Sequence, residues 1–103
     1  MQAPLPAAAS PDVLRLDEVL DLRAARPLLE ALRARRGQDL ALDASAVRRL
    51  GGLCLQALLA AIDAWAADGR RLAFLDPSPG FIDGLERLGV SRALAAPDLL
   101  PET

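Results

Sequence analysis

Few residues in this chain have chemistry within reach. Asp39 and Asp43 bracket a short apolar segment, Ser45 follows them, and Cys54 stands just behind the pair Gly51-Gly52. An acid pair can bind a cation when other ligands converge on it. A hydroxyl can accept a phosphoryl group, and a thiol near a helix N-terminus can be stabilised as thiolate. Each residue also has a plainer role. The two Asp residues sit at the ends of an apolar run with no ligand set nearby, which suits solvated strand ends. Ser45 can close a local turn through its hydroxyl. Cys54 can serve as a small buried hydrophobe.

Other routes to catalysis are closed. The chain has no His, which removes the usual general base of Ser and Cys nucleophiles and the commonest transition-metal ligand. A single Cys builds neither a disulfide nor a zinc or iron–sulfur site. Gly51-Gly52 lack the Lys and the spacing of a phosphate-binding glycine loop. The expectation is a protein with no catalytic residues, no cofactor and no metal.

With 103 residues the chain suits one domain, 1–103, with a core over about 12–94 and tails at 1–11 and 97–103. Hydrophobic residues make up 52% and charged residues 25%, the balance of a folded, soluble protein. Every base is Arg, and with so much Ala and Leu this suggests a GC-rich bacterial source. A net charge of −2 and only three aromatic residues (Trp65, Phe74 and Phe81) give no basis for nucleic-acid binding. Arg33, Arg35 and Arg36 suit a solvated helix end. The lone Cys points to a reducing compartment, so a cytoplasmic location is expected. The N-terminus has no positive region of the signal-peptide kind. "LGGLCLQALLAAI" is too short to cross a membrane, and Asp63 follows it.

The elements that must position these residues alternate. "DVLRL" has the period of a strand with one wet face, Val13 and Arg15 opposing Leu14 and Leu16. "DEVLDL" is a turn and bridge. A helix is expected from about Ala24 to Arg36, with Pro27 in its first turn and Gly37 after its end. "DLALD" is a buried strand and "ASAVRRL" a loop. A second helix runs from about Leu53 to Asp68, with Leu55, Leu58, Leu59, Ile62, Trp65 and Ala66 inward and Gln56, Ala60 and Asp63 on the other side. Leu72–Leu75 is a third strand, apolar throughout as a central strand would be. Ser78-Pro79 opens a last helix to about Leu88, with Phe81, Ile82, Leu85 and Leu88 inward. Short strands around Leu5 and over Val90–Leu94 complete the set. Strand–helix alternation of this kind calls for a largely parallel sheet with right-handed crossovers.

From Asp12 to Leu94 the chain resembles the STAS domain (sulfate transporter and anti-sigma factor antagonist). The resemblance rests on "LDAS" after a strand, a short loop into a Leu- and Ala-rich helix, and "DGRRLAFLDPSPGFIDGLERLGV", where a Gly precedes a strand, Pro-Ser opens a helix and Leu-Gly closes it. It implies an α/β fold with a four- to five-stranded mixed sheet and helices packed mainly on one face. The family's regulatory motif reads Asp-Ser-Ser-Gly or Asp-Thr-Ala-Gly at the mouth of the second helix, and a hydroxyl there is phosphorylated by a partner kinase. The matching positions here are Gly51, Gly52, Leu53 and Cys54, without the Asp and without a hydroxyl.

The resemblance implies a non-enzymatic bacterial regulatory protein that binds a partner, of the chemotaxis, two-component or anti-sigma type, without phosphorylation at the usual loop. The partner would be a signalling kinase, an anti-sigma factor or a transporter ATPase. The alternatives are an accessory subunit of an ABC-type lipid-transport system and a small-ligand sensor. The expected partner-binding loop comprises Ser45, Gly51, Gly52, Leu53, Cys54 and Gln56. Leu53 either anchors a partner or turns inward to extend the core.

Overall fold

The computed structural model describes residues 12–91. Its elements run β1 (Asp12–Arg15), β2 (Val19–Leu20), α1 (Leu22–Ala34), β3 (Leu40–Asp43), β4 (Arg49–Leu50), α2 (Gly52–Ala67), β5 (Leu72–Leu75) and α3 (Pro79–Arg87). Strands β1, β3 and β5 lie side by side in that order, and β2 pairs with β4 in a second small sheet. Every pairing among the described residues is parallel. The α/β class matches the sequence expectation; the main sheet has three strands among the described residues, fewer than the four to five expected in one mixed sheet, and all of its pairings are parallel. What the sequence did not show is the division into two sheets.

The order β1-β3-β5 advances in one direction through α1 and then α2. Two right-handed crossovers made in the same direction leave both helices on the same face of the sheet. Burial agrees: Leu40, Leu42, Leu72 and Phe74 point into the core, while Val13, in register with Ala41 and so on the opposite face, is 50% exposed. Leu16, Leu28, Leu32, Leu58, Trp65, Phe81 and Leu85 complete that core. The Trp65 indole N–H donates to the Gln38 carbonyl at 2.8 Å, so burying the ring leaves no orphan donor.

Several expectations shift. Strand β3 is central, but β5 has one neighbour among the described residues. Helix α1 starts at Leu22, which puts Pro27 inside it. The lost N–H bond falls on an exposed side, where water can serve the freed carbonyl of Arg23. Asp21, not a residue near Ala24, is the N-cap, accepting from the amides of Arg23 and Ala24 at 3.1 and 3.2 Å. On α2 the buried set is Cys54, Leu55, Leu58, Ala61 and Trp65; Leu59 and Ile62 are half-buried and Ala66 is exposed. Leu88 is exposed as well, and Gly84 takes the inward place. Val90 and Ser91 are not in a strand. The rest of that expected strand, the strand near Leu5 and both tails lie outside the described residues. No helix among the described residues is long and apolar enough to cross a membrane.

The Arg cluster after α1 is put to use. Arg35 pairs with Asp12 at 3.0 Å, tying the helix to β1. Arg36 grips the Asp68 carboxylate through two nitrogens at 2.9 and 3.2 Å and lies over the Trp65 ring. That fork holds the Asp68 carboxyl below its ordinary range.

Candidate functional site

The segment expected to be a loop before α2 is structured. Ala44, Val47 and Leu50 are buried, and β4 pairs with β2 in the register Val19↔Arg49, Leu20↔Leu50. The Glu18 carbonyl accepts from Arg48 at 2.7 Å and Arg49 at 3.2 Å, and the Leu20 carbonyl accepts from Gly51 at 2.8 Å. Two parallel strands in register each run straight into a helix. The mouths of α1 and α2 therefore lie side by side.

The glycines at the α2 mouth are not there for an unusual backbone. Gly51 is extended (φ −97°, ψ 168°), a conformation open to any residue. A Cβ at Gly51 would meet the Leu20 carbonyl oxygen at 3.1 Å, whereas one at Gly52 would meet nothing within 4 Å. Closeness to β2 accounts for Gly51. At Gly52 the space is free, and the effect of glycine is simply to leave the helix mouth bare. Gly51 is the N-cap and supplies no side-chain bond.

Leu53 follows and is 50% exposed, so it does not turn inward to extend the core. Gln56 is exposed one turn on. Cys54 points the other way. It is buried, its Sγ donates to the Asp21 carbonyl at 3.4 Å, and burial, reinforced by the charges of Asp21 and Asp17, pushes its thiol pKa up. A buried, protonated thiol is a packing group, not a surface contact or a nucleophile.

Ser45 stands apart. It is exposed at the end of β3, its amide donates to Asp43 Oδ1 at 3.0 Å, and it does not line the groove that Leu53 and Gln56 share. Hydrogen bonds from the Ser45 hydroxyl and amide lower the Asp43 pKa, so the carboxylate beside this hydroxyl is ionised at neutral pH. Asp39 accepts from the Arg71 amide at 2.9 Å, a strand-end role. The structure therefore gathers Gly51, Gly52, Leu53 and Gln56 at one mouth, turns Cys54 inward behind them, and leaves Ser45 in its own turn. Among the described residues no group of three or more His, Cys, Asp or Glu side chains could hold a metal ion.

Sequence reasoning missed the neighbour of this mouth. Leu22, the first residue of α1, is 73% exposed, and the groove between the helices is lined by Ala25, Arg26 and Leu29 from α1 facing Leu53, Gln56 and Ala57 from α2. A signal was present in Leu22, Arg26, Leu29 and Arg33, which recur at helical spacing on a stripe beside the core-facing one.

The family model described as "Mlab, STAS domain" matches residues 5–101. The chain belongs to the STAS family. STAS domains are regulatory or accessory modules of the anti-sigma-antagonist-like kind, are generally non-enzymatic, and commonly mediate protein–protein interactions. No curated protein sequence matches the chain. A solved structure titled "Crystal Structure Analysis of Mglu" is similar at a TM-score of 0.58 and 25% identity, over 65% of this chain and 17% of that one. This STAS chain thus spans less than a fifth of the length of that protein.

Proposed function

We propose that this STAS protein is a constitutive partner-binding module, acting as a single unit through the exposed face of α2 and its mouth, without catalysis. One observation carries the reading. Helix α2 is apolar nearly all round, with Gln56 and Asp63 its only polar side chains between Gly52 and Ala67, yet Leu53, Ala60, Ala66 and Ala67 face solvent. A helix apolar on every side belongs in an interior. Here the β-sheet and α1 cover much of it, and a partner protein is the natural cover for the side that remains.

The chemistry of the mouth favours a fixed contact. Phosphate at a helix N-terminus gains from the dipole and the free amides, but Leu53 offers no hydroxyl to carry it. Ser45 is a poor substitute, because a phosphate there would sit against the ionised Asp43. Control would come from abundance or from the partner's own state. Within the range of bacterial partners, a hydroxyl-free mouth suits a permanent subunit better than a switched antagonist. This favours the accessory subunit of an ABC-type lipid-transport system over the chemotaxis, two-component and anti-sigma readings. The groove is only partly enclosed, which argues against a small-ligand sensor, since such sites bury most of their ligand.

The test is Leu53→Asp, assayed against the partner that co-purifies from the native host. A carboxylate at the α2 N-terminus is compatible with the dipole, so stability should change by less than about 0.5 kcal/mol. A central apolar anchor is worth about 2 kcal/mol or more, so affinity should fall roughly 30-fold. Unchanged affinity on a stable fold would remove the mouth from the binding surface.

A further inference from the structure

The groove between α1 and α2 has a volume of about 520 Å³ and runs on into a smaller hollow of about 120 Å³ toward Trp65. Leu29, Arg33 and Ala57 line both, so the two form one trough along the helix pair. Its floor is apolar and its α2 wall is low, because Ala57 and Ala60 carry only methyl groups. Small side chains of this kind let a neighbouring backbone come close.

The rim is charged in a pattern. On α1 it carries Arg26, Glu30 and Arg33. Arg35, Arg36, Arg48 and Arg87 have acidic partners, whereas Arg26 and Arg33, like Arg15, Arg23, Arg49, Arg70 and Arg71 elsewhere, make no ion pair among the described residues. The guanidinium groups of Arg26 and Arg33 are two turns apart, about 10 Å along the helix axis. Glu30 stands between them. Across the trough α2 offers neutral Gln56, so the rim has a net positive charge with its cations at the two ends.

We infer that this trough docks a helical segment of the partner protein that carries two acidic residues, about two turns apart, flanking small or apolar side chains. The inference rests on the proposed partner-binding function and names the chemistry of the partner. The acids pair with Arg26 and Arg33, and the apolar side chains between them cover Leu29, Ala57 and the exposed part of Leu53. A basic residue at the middle of the segment would meet Glu30. Helix-in-groove recognition of this type reads anchors at helical spacing, and complementary charge fixes the register and excludes wrong partners.

The experiment has two arms. In the first, the complex purified from the native host is titrated with the full chain carrying Arg26→Glu with Arg33→Glu, and in parallel the milder Arg26→Gln with Arg33→Gln. Both arginines are exposed, and circular dichroism checks the fold. Affinity should fall about tenfold for the charge reversal and less for the neutral pair, with a weaker salt dependence in the neutral pair than in the wild type. Arg71→Glu with Arg87→Glu, the same charge change at residues that line neither hollow, should leave affinity within about twofold. In the second arm the probe is a lactam-bridged helical peptide with two Glu seven residues apart around Ala and Leu, followed by amide NMR. It should shift Ala25, Leu29, Gln56 and Ala57, and its Lys-for-Glu counterpart should bind about tenfold more weakly. Native-partner affinity that survives both double variants but not Leu53→Asp would overturn this inference and leave the proposed function standing. Equal binding of the Glu and Lys peptides, shifts confined to other surfaces, or no shift at millimolar peptide would also overturn it. So would a self-dimer of the chain abolished by the same arginine variants, which would give the trough to a second copy.

Discussion

Helices α2 and α3 are both entered from a strand, and the two entrances differ. At α3, Ser78 is the N-cap: its Oγ accepts from the Phe81 amide at 3.1 Å and its hydroxyl donates to the Val47 carbonyl, with Pro79 as the first helical residue. Gly80 then lies directly on the backbone of Arg48 and Gly84 on Leu50. At α2 the cap is Gly51, with no side chain to offer, and the next side chain is the exposed Leu53. The same chain thus turns the polar chemistry of one mouth inward to fix α3 and removes it from the other. A mouth stripped of its cap adds little to stability. Its value lies in what it leaves accessible.

Glycine substitution is the sharpest way to break this contrast. A Cβ at Gly80 would stand 2.6 Å from the Arg48 carbonyl oxygen and 2.8 Å from its carbon, both backbone atoms that cannot swing aside. Gly80→Ala should cost about 1–3 kcal/mol or more, measured by chemical denaturation. A cost below 0.5 kcal/mol would show that α3 does not seat on that loop. Ser78→Ala comes next. It removes a helix cap and leaves the Val47 carbonyl without its donor, for an expected loss of about 1–2 kcal/mol. Gly52→Ala should do the opposite. With nothing within 4 Å of the new Cβ, it should stabilise by about 0.4–1 kcal/mol through the unfolded state alone. Destabilisation there would mean that the bare mouth is packed.

The regular elements were legible because their periods are long enough to read. Leu28 and Leu32 on α1, the "LALD" strand and the Ser78-Pro79 entrance all stand where propensity and spacing put them. β2 and β4 were not legible, since two residues carry no period. They form because parallel pairing satisfies backbone groups of Glu18 and Leu20 that a free loop would leave to water. The inward place of Gly84 was hidden for a related reason. Hydrophobic patterning marks large side chains, and α3 packs against Leu50 where it has none. At the site, the family motif located the mouth, but the side chains of Leu53 and Cys54 diverge by one helical step of about 100°, which only the orientation of α2 decides. The α1 wall of the groove was missed because Leu22 and Arg26 lie off the core stripe.

The smallest effect expected is at Ser45. Its hydrogen bonds depress the Asp43 pKa in the folded state. The stability they confer is therefore present above the ordinary carboxylate value of about 4 and is lost as pH falls through the depressed value. Ser45→Ala should raise the Asp43 pKa toward its ordinary range in a carboxyl NMR titration. Any stability difference from the wild type should be seen at neutral pH and vanish in acid. An unmoved Asp43 would mean that the Ser45 hydroxyl does not hold the carboxylate.

Hydrogen exchange on the complex from the native host tests the central claim most directly. The first amides of a helix have no intrahelical acceptor, so those of Gly52 and Leu53 should exchange rapidly in the free protein. On binding, protection should rise at Gly52, Leu53 and Gln56 and along the outer face of α2 to Ala60. The Pro79–Arg87 helix, whose mouth is already capped, should be unchanged. Protection gained at α3 or on the open face of the β-sheet, with the α2 mouth still exchanging freely, would contradict the account.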